Sequence, residues 1–415
     1  MKVLNRIFLD HSGTTPVRRE VFEAMVPYLT NCYGNPSSIH SVGREARVAI
    51  DEAREKVANA IGAKAQEIVF TGSGSEADNY ALIGAANAQK GGKNHLIISA
   101  IEHHAILDTA KYLEKQGFEV TQIKVNSDGI VDPNDVKEAI NPSTFLVSIM
   151  MANNEIGSIQ PIKEIAKIAH EAGVLVHTDA VQAIGHIPVN VDDLGVDFLS
   201  MSAHKFYGPK GVGVLYIRTG NKIGTLIHGG GQERKRRAGT ENVAGIVGMG
   251  VAISLAINDM PKEMERENKL INKLIDGIME RIPHTRLNGP RDNRLSNNAN
   301  FSFSFVEGES LLLKMDMLGI CASSGSACTS GSLEPSHVLL SIGLPHEEAH
   351  GSVRFSIGRG TKESDIDYVL ESLPPIVASL REMSPIYYKS ECAMQDICSN
   401  PCECSLVSEK DRCNQ

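Results

Sequence analysis

The sequence predicts an α/β protein, with a large domain on a mostly parallel central sheet and a smaller α+β domain. Two observations predict this fold. From about residue 44 to 218, short β-branched runs alternate with segments whose apolar residues recur at helical spacing. Near residue 259, the composition shifts to a long charged helix. Strands that alternate with helices build a mostly parallel sheet with helices on both faces, so the first segment forms the large domain.

The elements of the large domain follow this alternation in order. The segment 43–62 is predicted to be a helix, with apolar side chains at residues 46, 49, 50, 53, 57, 60 and 61. Further helices are predicted at 76–89, near 104–115, after Pro133 and at 161–173. The strands are predicted at EIVFT (67–71), HLIIS (95–99), FEVTQI (118–123), TFLVSIMMA (144–152), VLVHTDA (174–180), VDFLSMSA (196–203) and GVGVLYIR (211–218). Ligands of such sheets bind beyond the carboxyl ends of the strands, so functional motifs are expected directly after these runs.

The smaller domain begins with the charged helix, predicted at 259–281. The run NANFSFSFV (298–306) alternates apolar and polar residues, which predicts a half-buried strand. After residue 383 the composition changes again, because five of the eight cysteines lie from Cys392 onward. We therefore expect three regions, which are a large domain at 16–258, a small domain at 1–15 with 259–383, and a Cys-rich extension at 384–415.

The composition is ordinary for a globular protein, with 42% hydrophobic and 22% charged residues among 415. The formal net charge of −9 argues against direct nucleic-acid binding, because proteins that bind nucleic acid usually carry a basic excess. The basic run QERKRR (232–237) is a local exception, which we interpret as a solvated or phosphate-facing loop. The first residues lack the apolar run of a signal peptide, and no run reaches the ~18 apolar residues of a membrane span. We therefore expect a cytoplasmic protein with reduced cysteines and no membrane partner.

A glycine-bearing turn follows the first strand of the large domain. The sequence TGSGSEADN (71–79) opens a helix, so the backbone N–H groups of Gly74 and Ser75 are suited to hold a phosphate. The turn is neither a dinucleotide fingerprint nor a Walker loop, because it lacks the third glycine of the former and the G-K-[ST] of the latter. Taken alone, it fits a phosphate site and an ordinary capped helix equally well.

Further strand ends carry side chains suited to chemistry. HTDAVQAIG (177–185) ends a strand with Asp179, which fits both an acid paired with a heterocycle nitrogen and a turn cap. SMSAHKFYGPKG (200–211) places Lys205 just after a strand, where a lysine can form a Schiff base with an aldehyde, although a surface lysine is the ordinary alternative. His103 follows another strand in IEHHA (101–105). Together these groups suggest pyridoxal phosphate, because that cofactor needs a lysine, an acid and phosphate donors.

The segment ICASSGSACTSGS (320–332) places Cys328 in a run of small polar residues. Free cysteine is usually among the most buried residue types, and this segment offers little to pack into a core. Cys321, at the end of an apolar stretch, fits a buried site, but Cys328 does not. The pattern therefore indicates a thiol that takes part in chemistry.

With these motifs together, the sequence resembles the cysteine desulfurases of the NifS/IscS type, which are fold-type-I pyridoxal-phosphate enzymes of aminotransferase class V. The similarity covers residues 7–383 and is carried by TGSGSEADN, IEHHA, HTDAVQAIG, SAHKFYGPKG and SSGSACTS. It implies pyridoxal 5′-phosphate as cofactor, bound covalently by Lys205, which would also shuttle the α-proton. Asp179 would pair with the pyridine nitrogen and Gln182 with the ring oxygen, while His103 would stack on the ring and transfer protons.

Other residue roles follow from the same resemblance. The cofactor phosphate would be held by Gly74, Ser75, Ser202 and His204. Asn154 would contact cofactor and substrate, and Arg354 would clamp the substrate carboxylate, for which a guanidinium is suited. Thr240 would reach the phosphate of the neighbouring subunit, which implies a homodimer.

The resemblance also implies the role of the loop thiol. In this family the cysteine of SSGSACTS attacks the sulfur of bound L-cysteine, becomes a persulfide and leaves L-alanine. Cys328 would be that nucleophile, and its sulfur would pass to an Fe–S scaffold protein or another acceptor. Cys328 would also serve as a transient ligand of a scaffold-bound Fe–S cluster. Because the thiolate is the attacking species, a group such as His103 must help to deprotonate the thiol.

The sequence leaves other functions open. A selenocysteine lyase or another fold-type-I enzyme would share the cofactor residues but would not need Cys328. HEEAH (346–350) matches the H-E-x-x-H pattern of zinc proteases, with Glu371 near the position of a third ligand. However, Pro345 and Gly351 bracket this run and leave little more than one helical turn, which disfavours a metalloprotease.

Two features depart from the resembled pattern. The chain has His11-Ser12-Gly13 where the family more often has Asn-Ala-Ala or Tyr-Ser-Ala, and we interpret the change as neutral drift rather than tuning of substrate preference. The cysteine-rich extension has a spacing that matches no common zinc or ferredoxin motif, with cysteines at Cys392, Cys398, Cys402, Cys404 and Cys413. It fits two interpretations equally: a functional segment, which binds a metal or Fe–S cluster or relays sulfur from Cys328, and a disordered extension.

Overall fold

The computed structural model describes residues 6–89, 92–324, 334–384 and 387. The strands within these residues are β1 (Ile7–Phe8), β2 (Ile68–Thr71), β3 (His95–Ser99), β4 (Glu119–Ile123), β5 (Thr144–Ser148), β6 (Leu175–Asp179), β7 (Phe198–Ser202), β8 (Gly213–Ile217), β9 (Thr285–Asn288), β10 (Asn298–Phe303), β11 (Ile320–Cys321) and β12 (Ser352–Ser356). The helices are α1 (Arg19–Thr30), α2 (Ser41–Ala60), α3 (Gly74–Ala88), α4 (His104–Lys115), α5 (Pro133–Ala139), α6 (Ile162–Glu171), α7 (Val191–Leu194), α8 (Gln232–Lys235), α9 (Val243–Arg281), α10 (Gly308–Met317), α11 (His337–Ser341), α12 (His346–His350) and α13 (Glu363–Glu382).

Within the described chain, the central sheet has the strand order β2-β8-β7-β6-β5-β3-β4. β8 runs antiparallel to β2 and β7, and the other neighbouring strands are parallel. Helices cover both faces, as β3 shows: Ile97 packs with side chains of α2 and α6, whereas Leu96 and Ile98 pack with those of α3 and α4. Burial on both faces explains why these strands are nearly continuous apolar runs. The α/β fold predicted from the sequence is confirmed.

The small domain contains an antiparallel sheet with the order β12-β10-β9 and a parallel pair of β1 with β11. Its core includes Leu9 from the amino-terminal segment together with side chains of α9, α10 and α13. One segment of this region packs elsewhere, because Val338 and Leu339 of α11 join a cluster with Ile101 and Met150 of the large domain. The amino-terminal segment and α11 thus tie the two parts of the chain together beside the carboxyl edge of the central sheet.

The long helix α9 spans 39 residues and passes from the large domain into the small one. It begins where the Asn242 side chain accepts a hydrogen bond from the Gly245 N–H, so the charged helix predicted at 259–281 is its second half. A close approach to α2 requires glycine, because a Cβ on Gly250 would lie 2.9 Å from the Cα of Ala53. Pro261 lies inside the helix, near the domain division expected at residue 258. That division remains a prediction, because α9 crosses it as one continuous element.

By length and composition alone, α9 is apolar enough to cross a membrane, which the sequence analysis had not anticipated. Half of its most apolar window is buried within the described protein, where α9 packs against α1 and α2. A core helix of a globular domain has these properties, because it is apolar over most of its surface.

The strand β10 corrects one prediction. Its alternating sequence predicted a half-buried strand, but all six residues are buried. The polar side chains of β10 hydrogen-bond to the neighbouring strand β9. There, Asn288 Nδ2 donates to Asn300 Oδ1 at 2.8 Å and to Ser302 Oγ at 2.9 Å. These hydrogen bonds offset part of the cost of burying the polar face, although Asn288 Oδ1 and Asn300 Nδ2 have no partner among the described residues.

The basic run at 232–237, expected to be a solvated or phosphate-facing loop, exposes Arg234 and Lys235 but buries its one acidic residue. Glu233 is buried and accepts hydrogen bonds from both terminal nitrogens of Arg54, at 2.7 and 2.8 Å. Arg237 pairs with Glu76 of α3. Residues 233–235 all have positive φ, a conformation that costs free energy for residues other than glycine. The buried Arg54–Glu233 pair anchors this strained turn.

Candidate active site at the carboxyl edge of the sheet

A cavity of about 510 Å³ lies at the carboxyl edge of the central sheet. The structure brings together there all the predicted cofactor and substrate residues of the described chain except Thr240. Those that line the cavity are Gly74, Ser75, His103, Asn154, Asp179, Gln182, Ser202, His204, Lys205 and Arg354. Because parallel strands present their carboxyl ends at one edge, side chains that are distant in sequence meet there.

The N-terminus of α3 forms one wall of the cavity. Ser73 caps the helix by accepting a hydrogen bond from the Glu76 N–H at 3.0 Å, so the N–H groups of the first turn are left for another acceptor. Gly74 is required by close packing, because a Cβ at this position would lie 2.9 Å from Val181 Cγ2 and 3.3 Å from Ser202 Cβ. A helix N-terminus with free N–H groups and small neighbours is suited to bind a phosphate.

Asp179 ends β6 and lies at the base of the cavity. Its Oδ1 accepts a hydrogen bond from the Val181 N–H at 2.8 Å, which leaves Oδ2 for a ligand. Burial raises the pKa of Asp179 to about 6, against the opposing effects of the Val181 hydrogen bond and the Lys205 charge. A buried carboxylate of this kind is suited to hold a proton on the ring nitrogen of a heterocycle.

A row of fully buried polar side chains lies beneath Asp179. His177 is two residues earlier in β6, and its ring nitrogens hydrogen-bond to Ser148 Oγ at 2.8 Å and Ser200 Oγ at 3.0 Å. Asp78 of α3 faces this row, 3.8 Å from His177 Nε2. Burial lowers the pKa of His177 to about 3, and burial together with Asp179 raises the pKa of Asp78 well above its usual range. His177 is therefore neutral near pH 7, and burial disfavours the charged form of Asp78.

Lys205 lies in a 3-10 turn, Ala203–Lys205, that directly follows β7. Its Nζ donates to the carbonyl oxygens of Ser12 at 2.6 Å and Gly13 at 2.8 Å. Gln182 Nε2 donates to the same Ser12 oxygen at 3.0 Å. The tripeptide that departs from the resembled pattern therefore contacts the candidate catalytic lysine through its backbone.

His103 caps α4, because its Nδ1 accepts a hydrogen bond from the Ala105 N–H at 3.1 Å. This contact fixes the ring and leaves the proton of the neutral imidazole on Nε2. Burial, and then the positive charge of Lys205, lower the pKa of His103 to about 4. The ring is therefore neutral near pH 7 and available to stack on a flat ligand.

Arg354 of β12 forms the opposite wall and is almost completely buried. Its Nη2 donates to Asp10 Oδ1 at 2.7 Å, and its Nη1 donates to the Asn154 carbonyl oxygen at 3.1 Å. Its Nε has no hydrogen-bond partner in the part of the chain that the structure describes. An arginine in a cavity wall presents N–H donors in a fixed planar fork, which is suited to bind a carboxylate.

Besides Asp78, sequence reasoning missed two more buried carboxyl groups in the cavity wall, Glu102 and Glu155. Burial raises the pKa of Glu102 to about 8 and that of Glu155 to about 7. Glu102 Oε1 accepts hydrogen bonds from Ser99 Oγ and the Met150 N–H, whereas Glu102 Oε2 has no partner among the described residues. The position of Glu102 directly before His103, after a buried strand, was the available sequence signal.

The segment that contains Cys328 lies outside the described residues, but the residues on both sides of it are attached to the cavity wall. The backbone of Ser323 pairs with that of Arg354, with hydrogen bonds of 3.3 and 2.7 Å. On the other side, Ser336 Oγ donates to Glu155 Oε2 at 2.5 Å. Both ends of the segment are therefore held beside the cavity.

The remaining predicted residues lie elsewhere. Thr240 is exposed and lines a separate groove with Gly72 and Arg237. His346 and His350 form a single exposed turn, α12, and no group of potential metal ligands occurs among the described residues. The cysteines of the extension lie outside the described residues, namely Cys392, Cys398, Cys402, Cys404 and Cys413.

Comparison with known proteins identifies relatives over nearly the whole chain. The family model of class-V aminotransferases matches residues 7–369. A cysteine desulfurase IscS of Dictyoglomus turgidum is 58% identical, over 93% of this chain and 97% of the relative. A cysteine desulfurase IscS of Methanosarcina thermophila is 55% identical, over 92% of this chain and 94% of the relative.

Solved structures show the same similarity. A NifS-like protein superposes with a TM-score of 0.86 at 39% identity, over 90% of this chain and all of that one. The structure of SspA in complex with cysteine gives a TM-score of 0.76 at 39% identity, over 84% of this chain and 98% of that one.

Proposed function

Because the chain belongs to the class-V aminotransferase family, we infer that it is a pyridoxal-phosphate-dependent cysteine desulfurase. It removes sulfur from L-cysteine and releases L-alanine. The observation that carries this function is the convergence of Lys205, Asp179 and the N-terminus of α3 in one cavity, opposite a buried arginine. These groups match the aldehyde, the pyridine nitrogen, the phosphate and the substrate carboxylate in turn.

The residues present fit the cofactor. Gly74 keeps the wall at the start of α3 free of a side chain, and Ser75, Ser202 and His204 surround that wall. His204 is itself held by a 3.0 Å hydrogen bond to Thr14 Oγ1. When bound, pyridoxal phosphate supplies an electron sink for the carbon atoms of an amino-acid substrate. The protein supplies orientation and proton transfer.

The polar side chains of the cavity then have defined tasks. Asp179 would hold a proton on the ring nitrogen, and Gln182 would contact the ring oxygen. Lys205 would bind the cofactor and move the α-proton, since its amine lies in the cavity. His103 would lie against the ring, because its Nδ1 is fixed by Ala105. Arg354 and Asn154 would hold the substrate.

Cys328 is proposed as the nucleophile that accepts the sulfur and forms a persulfide. Support comes from the two flanking anchors, Ser323 on Arg354 and Ser336 on Glu155, which keep both ends of its segment beside the substrate wall. The closed site must supply a base for the thiol, because an unperturbed cysteine is only a few per cent ionised at pH 7. His103 would take the thiol proton at Nδ1, which requires the ring to give up the hydrogen bond that Nδ1 accepts from the Ala105 N–H.

The test is a single-turnover reaction of the holoenzyme with L-cysteine, in which alanine and protein-bound persulfide are both measured. Stoichiometric alanine and persulfide in the wild type, lost in Cys328→Ser and kept in Cys32→Ser, would support the proposal. Alanine formation that survives Cys328→Ser would instead favour a lyase, such as a selenocysteine lyase. A holoenzyme that releases no alanine would contradict the proposed function.

The protein is further proposed to be a homodimer. Several large apolar side chains of the α1–α2 region are exposed, namely Phe22, Leu29, Tyr33, Ile39 and Val48. A second copy would cover this surface, and Thr240, which is exposed outside the cavity, would then reach the partner's cofactor phosphate. Light scattering of wild type and Leu29→Glu tests this, and a wild type that is monomeric at micromolar concentration would contradict it.

The sulfur acceptor is proposed to be an Fe–S scaffold protein or another thiol acceptor in the cytoplasm. Transient cluster ligation by Cys328 would belong to the complex with the scaffold. Metal or Fe–S binding by the cysteine-rich extension is a separate proposal, supported by its composition alone. Iron and zinc contents of the full chain and of a chain ending at residue 384 would test it, and equal contents would contradict it.

A further inference from the structure

We propose that Asp10 is a positioning residue that acts as the resident counter-ion of Arg354 and so weakens the hold of Arg354 on a substrate carboxylate. The inference rests on the proposed function, in which Arg354 binds the α-carboxylate of L-cysteine. It assigns a specificity-determining role to a residue that no motif in the sequence singles out.

The geometry places the two charges in direct contact. Asp10 Oδ1 lies 2.7 Å from Arg354 Nη2, and the Arg354 side chain is only 2% exposed. The backbone of the amino-terminal segment is fixed beside β12, because the Ser356 N–H donates to the Leu9 carbonyl and the His11 N–H donates to the Ser356 carbonyl. Asp10 is therefore held at this position by its neighbours on both sides.

The missing side chain of Gly13 leaves room for this contact. A Cβ on Gly13 would lie 2.6 Å from Asp10 Oδ2 and 3.0 Å from Asp10 Oδ1, closer than atoms pack. The nearest atoms belong to the mobile end of the Asp10 side chain, so alanine at position 13 would displace the carboxylate rather than the backbone. Gly13 belongs to the His11-Ser12-Gly13 departure, which thus has a structural consequence at the substrate wall.

The electrostatic consequence follows from sharing one cation. A buried guanidinium without a counter-ion is costly, so Asp10 stabilises the site when no substrate is bound. An incoming carboxylate must then bind an arginine whose charge is already compensated, and it is repelled by Asp10 at short range. Since the product L-alanine carries the same α-carboxylate, the same compensation weakens product retention.

Two small thiols separate this effect from general changes in the cavity. 3-Mercaptopropionate carries the thiol and carboxylate without the amine, and cysteamine carries the thiol and amine without the carboxylate. Inhibition constants for both, and the KM for L-cysteine, are measured with holoenzyme of the wild type, Asp10→Asn and Gly13→Ala. Asp192→Asn, which removes a remote partner of Arg218, is the matched control for loss of an aspartate–arginine pair.

We expect Asp10→Asn to lower the inhibition constant of 3-mercaptopropionate and the KM about three- to tenfold, with cysteamine changed less than about twofold. Gly13→Ala should also lower the inhibition constant of 3-mercaptopropionate and the KM for L-cysteine, but by a smaller factor. Asp192→Asn should change neither quantity. A merely structural role of Asp10 would not produce this difference between the two thiols.

Unchanged or weaker binding of 3-mercaptopropionate in Asp10→Asn would overturn the proposal, and so would equal gains for both thiols. If Asp10→Asn does not fold, the sign of the Gly13→Ala effect decides. A wild-type holoenzyme that releases no alanine from L-cysteine would contradict the proposed function itself. Alanine release by the wild type together with an unchanged Asp10→Asn would contradict only the role of Asp10.

Discussion

The two walls of the cavity are built in different ways. The cofactor wall, which comprises Asp179, Ser202, Lys205 and the start of α3, uses neighbouring elements of one sheet. Asp179 and Ser202 end β6 and β7, and Lys205 lies in the turn that follows β7. The substrate wall joins Asp10 to Arg354, 344 positions apart in the chain. A wall built on adjacent strands is rigid, and its residues can be predicted from local sequence patterns. The substrate wall instead depends on how the small domain and the amino-terminal segment pack.

The cofactor wall should tolerate substitution least. Lys205→Ala removes the amine that would bind the cofactor and move the α-proton, so we expect alanine formation to fall about 10³-fold or more. The loss should appear in single-turnover alanine assays, and the absorbance of bound cofactor should change as well. Lys210→Ala, in the same cavity, is the matched control and should keep most of the activity. Equal losses in both variants would mean that the two lysines are not distinguished as proposed.

The substrate wall should show its effect in KM rather than in cofactor binding. Arg354→Lys keeps one charge but loses the planar fork, so the KM for L-cysteine should rise about 10- to 100-fold. Cofactor affinity, measured by absorbance titration, should change little. Loss of cofactor affinity in Arg354→Lys would contradict the assignment of cofactor binding and substrate binding to separate walls of the cavity.

The buried carboxyl group of Glu102 lines the same cavity and predicts a pH effect on stability. The folded protein keeps this proton up to about pH 8, whereas an unfolded chain releases it near the ordinary value for glutamate. Glu102 therefore favours the folded state less as the pH rises from about 4.5 to 8.

Glu102→Gln removes this titration. The free energy of unfolding of the variant relative to wild type should rise by about 1–3 kcal/mol between pH 5 and pH 8.5 in cofactor-free protein. Urea denaturation at both pH values measures the difference. Glu119→Gln on the exposed edge strand is the matched control for replacing a glutamate by glutamine. A flat profile for Glu102→Gln would show that this group is ionised in the folded protein.

The smallest effect is expected at the phosphate end of the cofactor wall. Gly74→Ala would push a methyl group toward Val181 Cγ2, so the free energy of unfolding should fall by about 1 kcal/mol. Cofactor affinity should fall with it, because the first turn of α3 must shift. Gly211→Ala is not a suitable control because its φ is positive, but Gly360→Ala is, since no atom lies near its Cβ. Unchanged cofactor affinity in Gly74→Ala would show that the start of α3 is not the phosphate site.

The difference between the walls also explains how much the sequence predicted. Strand ends could be located from β-branched runs, and the residues after them, such as Asp179 and Lys205, then fell at one edge of a parallel sheet. The charge partner of Arg354 could not be found in this way, because no local pattern relates the segment after β1, which contains Asp10, to β12. The buried pairing of Glu233 could not be found from the sequence either, since its partner Arg54 lies in a distant helix.

The strand β10 shows the limit of periodicity. Alternation indicates which side chains share a face, but it does not show whether a polar face meets water or another polar row. Asn288 supplies that row, and its amide was not recognisable as a partner from the sequence. The buried Glu102 and Glu155 belong to the same class, because their protonation depends on enclosure by distant segments.

The continuous helix α9 has a mechanical consequence. At roughly 1.5 Å per residue, its 39 residues form a helix about 58 Å long that both domains share. Two domains joined by one continuous helix cannot move apart as they would on a flexible linker. A change in their relative position would have to bend the helix. Bending is easiest near Pro261, which has no backbone N–H and so leaves one hydrogen bond of the helix unmade. The amino-terminal segment and α11 also join the two parts of the chain, so together with α9 they restrict changes in the distance between the cofactor wall and the substrate wall. We therefore expect access for L-cysteine to depend on local segments at the cavity mouth.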